Sequence, residues 1–165
     1  MDTSIHLPAA ALPDFKQATK IYREKASGMV AHAGLLLEFL DGQTAVFHNN
    51  PEKGPHLSSL AEFSEGKTVT KKGCYQNSLP IIKDRIISIL AQGRHYSIFA
   101  NCEHIVSEVT HGIAQSPQLA ATATGATIGA LGGYMLADNK KTGMWIGGLL
   151  VGILALQCSK NELLR

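Results

Sequence analysis

Asn101-Cys102-Glu103-His104-Ile105-Val106 opens a stretch in which Ile105, Val106 and Val109 recur at helical spacing before His111-Gly112 ends it. The spacing predicts a helix over residues 102–110. Asn101 is the expected N-cap, because its side-chain oxygen can accept one of the amide protons that a helix start leaves unpaired. Cys102 then falls in the first turn. There the positive end of the helix dipole favours a thiolate over a thiol, whose ordinary pKa is about 8.5. A thiol nucleophile also needs a base, and His32 and His48 lie upstream. Glu103 and His104 are read as surface or supporting residues.

Residues 29–39 form an apolar run, Leu40-Asp41-Gly42 interrupts it, and Thr44-Ala45-Val46-Phe47 resumes with β-formers. This is a hairpin pattern. Its loop length decides whether the histidines meet, because side chains alternate faces along a strand and a one-residue slip reverses them. A two-residue turn at Asp41-Gly42 pairs Leu40 with Gln43, sets His48 opposite Leu35 and turns His32 to the other face. A three-residue loop, with Gly42 at positive φ, pairs Phe39 with Gln43 and His48 with Gly34. The two histidines then share a face as diagonal neighbours, within about 8 Å at the backbone. The three-residue form is expected. Beyond it, residues 51–55 read as a turn-rich loop, 59–63 as a short helical turn and 67–72 as a short strand. A longer helix opens at Leu79-Pro80, with Ile82, Arg85, Ile86 and Ile89 at helical spacing and Gly93 after its end.

The chain has 165 residues, 45% of them hydrophobic, enough for one domain and an appendage. A net charge of +2 gives no basis for a nucleic-acid partner. Three cysteines at wide, irregular spacing (Cys74, Cys102, Cys158) fit neither a disulfide framework nor a zinc site. A reducing, cytoplasmic compartment follows. No metal or other cofactor is expected. The first twenty residues, with Asp2, Asp14 and two prolines, lack the basic start and apolar run of a secretory signal.

Charge is absent from residues 119–137 and again from 143–158, with Asp138-Asn139-Lys140-Lys141-Thr142 between them. The boundary is placed at Ser116-Pro117, where proline discourages a preceding helix from continuing. Residues 1–116 are then the catalytic domain and 117–165 a glycine-rich helical hairpin. Gly125, Gly129 and Gly133 recur every fourth position, as do Gly143 and Gly147, with Gly148 and Gly152 beyond. Each glycine costs an isolated helix in water about 1 kcal/mol against alanine. The pattern makes sense where two helices pack closely, as in membranes. The first run has bilayer length but contains Thr122, Thr124 and Thr127; the second, residues 144–157, is more apolar and short for a full crossing. A hairpin in or across a membrane is expected, with Lys140-Lys141 at its turn and Trp145 at an interface. The alternative is a soluble hairpin packed on the domain or on another copy. The glycine faces also offer a route to self-association.

Tyr96-Ser97, then Asn101 to Val106, then Glu108 and Gly112 together resemble the cysteine box of the lecithin retinol acyltransferase family, which includes the small phospholipase A/acyltransferases. His32-Ala33-Gly34 resembles that family's histidine box, and His48-Asn49 its second histidine on the partner strand. The similarity covers about residues 29–118. It implies an α+β fold of the permuted, NlpC-type papain-like kind, with an antiparallel sheet and a helix carrying the nucleophile. It also implies that Cys102 forms an acyl-thioester, that His32 is the general base, and that His48 orients and charges His32. The Cys102 backbone N–H would contribute to an oxyanion hole. Ile105 stands where the family usually has phenylalanine, the spacer from Tyr96 to the cysteine is one residue shorter than in the mammalian phospholipases, and the hairpin is longer.

The expected function is a cysteine-dependent acyltransferase or lipid hydrolase acting on a phospholipid or other acyl ester at a membrane. Two other readings stay open: a papain-like cysteine peptidase or amidase, and a membrane-associated interaction or remodelling protein without turnover. The residues have inert readings too. Cys102 could be a small buried residue, since free cysteine is among the most buried types. His32 could be a core histidine and His48 a polar residue before the turn at Asn49-Asn50-Pro51. Cys74, Cys158, His6, His56, His95, His104 and His111 are read as non-catalytic. Acyl transfer requires the sulfur and two imidazoles to converge on one cleft, with the sulfur open to solvent.

Overall fold

Gly42 adopts a φ of +85°, which glycine reaches without a side-chain clash. It closes the three-residue loop. Phe39 N–H donates to the Gln43 carbonyl at 2.9 Å and Gly42 N–H to the Phe39 carbonyl at 3.1 Å. Strand β2 (Ala31–Phe39) therefore pairs with β3 (Thr44–Asn50) so that Gly34 lies opposite His48, the register expected from the sequence.

The computed structural model describes residues 12–93 and 101–165. Strands β1 (Phe15–Glu24), β4 (Gly54–Ser58) and β5 (Thr70–Tyr75) complete a five-stranded antiparallel sheet in the order β4-β3-β2-β1-β5. With helices α1 (Leu60–Ser64), α2 (Leu79–Gln92) and α3 (Cys102–His111), the fold is α+β. Two strands lie outside the sequence reading. In β1 the register with β5 shifts between Thr19 and Lys20, a bulge that breaks the alternation by which a strand is recognised. In β4, Pro55 sits on the sheet edge, where a missing N–H costs no ladder hydrogen bond. The strand expected at residues 67–72 begins three residues later.

One face of the sheet packs Phe15, Leu35, Leu37 and Phe47 against Ile82, Ile86 and Ile89 of α2 and Ile105 and Val109 of α3. Burying each of these side chains contributes about 1.5–3 kcal/mol. The other face packs Ile21, Leu36 and Val46 against Phe63 of α1. Helix α3 begins as its sequence predicts, with Asn101 Oδ1 accepting the His104 N–H at 3.0 Å, and ends on Gly112 at a φ of +79°. Glu103 and His104, however, are not surface residues. Eight of the ten residues of α3 are buried, so the helix is enclosed and has no broad solvent face on which to place them.

Two compact units share the chain: Met1–Arg23 with His32–Gln115, and Glu24–Ala31 with Ser116–Arg165. In the second, Ser116 Oγ accepts the Leu119 N–H at 3.2 Å and Pro117 takes the first helical position of α4 (Pro117–Leu136), where its missing N–H costs nothing. Helix α5 (Lys140–Leu164) is longer than the apolar run at residues 144–157: Asn139 Oδ1 caps its start by accepting the Thr142 N–H at 3.2 Å, and no glycine or proline follows residue 157. Both helices are long and apolar enough to cross a membrane. The glycines of α4 meet those of α5: a Cβ on Gly129 would overlap the Gly147 carbonyl, and one on Gly133 the Gly143 carbonyl. Lys160 Nζ donates to Glu24 Oε1 and to the Gly28 carbonyl, each at 2.9 Å, and Gln118 Oε1 accepts the Ala31 N–H at 2.8 Å.

Gly133→Val should lower the thermal midpoint of the detergent-solubilised protein, followed by circular dichroism, because the added side chain forces α4 and α5 apart. Gly132→Ala should leave it unchanged or raise it. A Cβ there meets nothing within 4 Å, and alanine favours a helix by about 1 kcal/mol over glycine.

Candidate active site

Alternation along β2 and β3 puts His32 and His48 on the face that carries Leu36 and Val46. Both histidines are buried, at 3% exposure. His32 Nε2 lies 3.0 Å from His48 Nδ1, with the rings nearly perpendicular and 5.1 Å apart at their centroids. His48 Nε2 lies 2.9 Å from Ser58 Oγ on β4, and the His56 ring packs on His48 at 4.3 Å. Two imidazoles expected to meet therefore do meet.

Phe63 holds this pair from above. Its ring stacks on His32 at 5.3 Å with a 25° tilt and presents an edge to His48 at the same distance. The third residue of His32-Ala33-Gly34 explains how the ring fits. A Cβ on Gly34 would come within 2.7 Å of Phe63 Cε2 and 2.9 Å of Val46 Cγ1. Buried Arg23 fastens the other end of α1: its Nε donates to the Phe63 carbonyl and its Nη2 pairs with Glu65 Oε1. Glu65 is the C-cap, in the left-handed region at a φ of +48°.

Cys102 is the first residue of α3, and Ala33 N–H donates to its Sγ at 3.5 Å. The sulfur thus rests against the backbone one residue after His32, facing an amide donor at a helix start. Cys102 is only 3% exposed, so the requirement that the sulfur be open to solvent is not met in this conformation.

Burial pushes His48 down to about 3, and His56, Arg23 and Lys53 push the same way. His48 is a neutral partner throughout the physiological range. Burial raises the Tyr22 hydroxyl far above its usual range, and the fields of Glu103 and Cys102 add to this. For Arg23, burial lowers the guanidinium, while Glu65 and Cys102 partly offset it. Lys20 is likewise lowered by burial and supported by Glu103. Tyr22 and Arg23, both on β1, are therefore within electrostatic reach of Cys102.

Sequence reasoning missed Ser58, Phe63, Arg23 and Tyr22, and read His56 only as non-catalytic. A β4 strand read from the alternation Gly54-Pro55-His56-Leu57-Ser58 would have set His56 opposite His48, as it is. Nothing local marks Phe63 or Arg23. Tyr96, Ser97, His6 and His95 lie outside the described residues. Cys74 and Cys158 are exposed free thiols. Among the described residues, no three histidine, cysteine or acidic side chains are grouped as a metal ion needs. No protein-family model and no curated protein matches the chain.

Gly34→Ala should destabilise the protein by about 1–3 kcal/mol, the usual cost of forcing a methyl group into a packed site, measured by thermal unfolding. The pH dependence carries a second expectation. In the unfolded chain His48 binds a proton below about 6.5, whereas folded His48 resists it until about 3. Its contribution to stability is therefore lost as pH falls through that window, with a slope of up to about 1.4 kcal/mol per pH unit. His48→Gln should flatten the acid limb of a stability–pH curve by that amount.

Proposed function

We propose that the chain is a cysteine-dependent acyltransferase or lipid hydrolase of the lecithin retinol acyltransferase type, with a permuted papain-like catalytic domain. One observation carries the proposal: the buried contact of His32 with His48 beside the helix start that bears Cys102. The spacing of His32-Ala33-Gly34, His48 and Asn101-Cys102-Glu103-His104 supports the same assignment.

In this reading His32, with Nε2 turned to His48, takes the thiol proton on Nδ1. The Cys102 sulfur attacks the acyl carbonyl, and the developing oxyanion is met by the Cys102 N–H. The ester C–O bond then breaks, the alcohol leaves with the proton held by His32, and an acyl-thioester remains. Water or an amine attacks that thioester, giving up a proton to His32, and the C–S bond breaks to regenerate the sulfur. No metal or other cofactor enters these steps.

A lipid acyl donor is favoured by the second unit. At 1.5 Å per residue, α4 and α5 are about 30 and 38 Å long, matching a hydrocarbon core of about 30 Å. Their outer surface is apolar, with Leu136 at 89% and Trp145 at 75% exposure. That surface is costly in water and comfortable in lipid, so we place the protein at a membrane, with its thiol in a reducing compartment. The low exposure of Cys102 favours one other reading, a membrane-associated interaction protein that keeps the site without turnover.

Incubation of the full chain with phospholipid vesicles, followed by mass spectrometry, separates the two. A fatty-acyl adduct on Cys102 is expected, absent from Cys102→Ala and formed about 10²–10⁴-fold more slowly by His32→Gln. A peptidyl adduct from an added peptide, with none from lipid, would mark a peptidase. Failure of Cys102 to take either an acyl group or a small thiol reagent would leave the non-catalytic reading.

A further inference from the structure

Ser58 ends β4, is fully buried, and shares a sheet face with His56 and His48. Its hydroxyl makes two contacts, with His48 Nε2 at 2.9 Å and with the Ser59 carbonyl oxygen at 3.2 Å. A hydroxyl has one proton to give, and a carbonyl can only accept. The Ser59 oxygen already accepts the Phe63 N–H at 3.0 Å and has a second lone pair for the hydroxyl. With its proton directed there, Ser58 Oγ turns a lone pair toward His48 Nε2.

A neutral imidazole carries its proton on one nitrogen only. An acceptor at Nε2 draws the proton to that side and leaves His48 Nδ1 as a lone pair, 3.0 Å from His32 Nε2. His32 must then donate from Nε2, and its basic nitrogen is Nδ1. The opposite polarity, with Ser58 donating to His48, would put a His48 Nδ1–H against His32 Nε2. The proton of neutral His32 would then sit on Nδ1, the nitrogen needed as base.

We propose that Ser58 is a positioning residue that fixes the tautomer of His48 and, through it, the nitrogen on which His32 accepts a proton. The kinetic consequence rests on the acyl-transfer reading above, whereas the tautomer does not. Burial that keeps His48 neutral supports it, since a doubly protonated ring would have no tautomer to choose.

Histidine-selective ¹⁵N labelling of the full chain in detergent micelles reads the tautomer directly, with His48→Gln to assign the signal. Wild type should show His48 protonated on Nε2. Ser58→Ala should give a mixture of both tautomers, and the neutral-pH alkylation rate of Cys102 by iodoacetamide should fall about tenfold while its pH midpoint rises, the loss usual when an outer partner of a working imidazole is removed. Ser58→Thr, which keeps the hydroxyl, should restore both readouts. A wild-type His48 protonated on Nδ1 overturns the proposal even if Ser58→Ala does not fold, and so does a folded Ser58→Ala with unchanged tautomer and alkylation. An Nε2–H tautomer together with a wild-type Cys102 that takes neither iodoacetamide nor an acyl group from phospholipid vesicles would sink the acyl-transfer reading and leave the Ser58 assignment standing.

Discussion

Pairing Gly34 with His48 fixes two relations at once. It puts His32 diagonally across from His48 on one face, at the separation where two rings can share a hydrogen bond. It also leaves the residue opposite His48 without a side chain, and Phe63 takes that space. A register one residue different would send His32 to the face occupied by α2 and α3 and would replace Gly34 by a leucine. The φ of Gly42 that closes the loop is therefore a constraint on the site as much as on the hairpin.

Polar groups on a buried face must find partners, because an unmet hydrogen bond costs about 1–3 kcal/mol there. His48 and Ser58 meet this need at both of their contacts, His48 between His32 Nε2 and Ser58 Oγ, and Ser58 between His48 and the Ser59 carbonyl. Keeping His48 neutral avoids the larger cost of enclosing a charge. Arg23 is the contrasting case, a buried cation, and it is matched by Glu65, by the Phe63 carbonyl and by the aromatic ring of Phe63, 5.7 Å away. The histidine pair is thus bounded by groups whose own partners hold them still.

The parts of this arrangement legible in the sequence are those set by local chemistry. Loop length and Gly42 give the β2–β3 register, Asn101 gives the start of α3, and Gly93 and Gly112, both at positive φ, give the ends of α2 and α3. The parts that were not legible depend on distant segments. The bulge in β1 hides a strand whose Tyr22 and Arg23 approach the site, and an edge position makes Pro55 acceptable in β4. The burial of Glu103 arises because α3 is enclosed on more than one side, which no single-helix periodicity can report. Phe63 looks like one more apolar residue until Gly34, twenty-nine positions earlier, is set beneath it.

Cys102 brings the two requirements of the site into opposition. A thiolate needs donors and a favourable dipole, which the Ala33 N–H and the first turn of α3 supply. The same enclosure that aims those donors at the sulfur leaves Cys102 almost no exposed surface. Under the acyl-transfer proposal this enclosure has a use, because exclusion of water protects a thioester from premature hydrolysis. A nucleophile covered at rest and uncovered when substrate arrives would show slow capture of small water-borne reagents and faster capture of an acyl donor presented in lipid. The relative rates of those two reactions at Cys102, and not its exposure at rest, are the physical quantity that distinguishes an interfacial enzyme from a preserved but idle site.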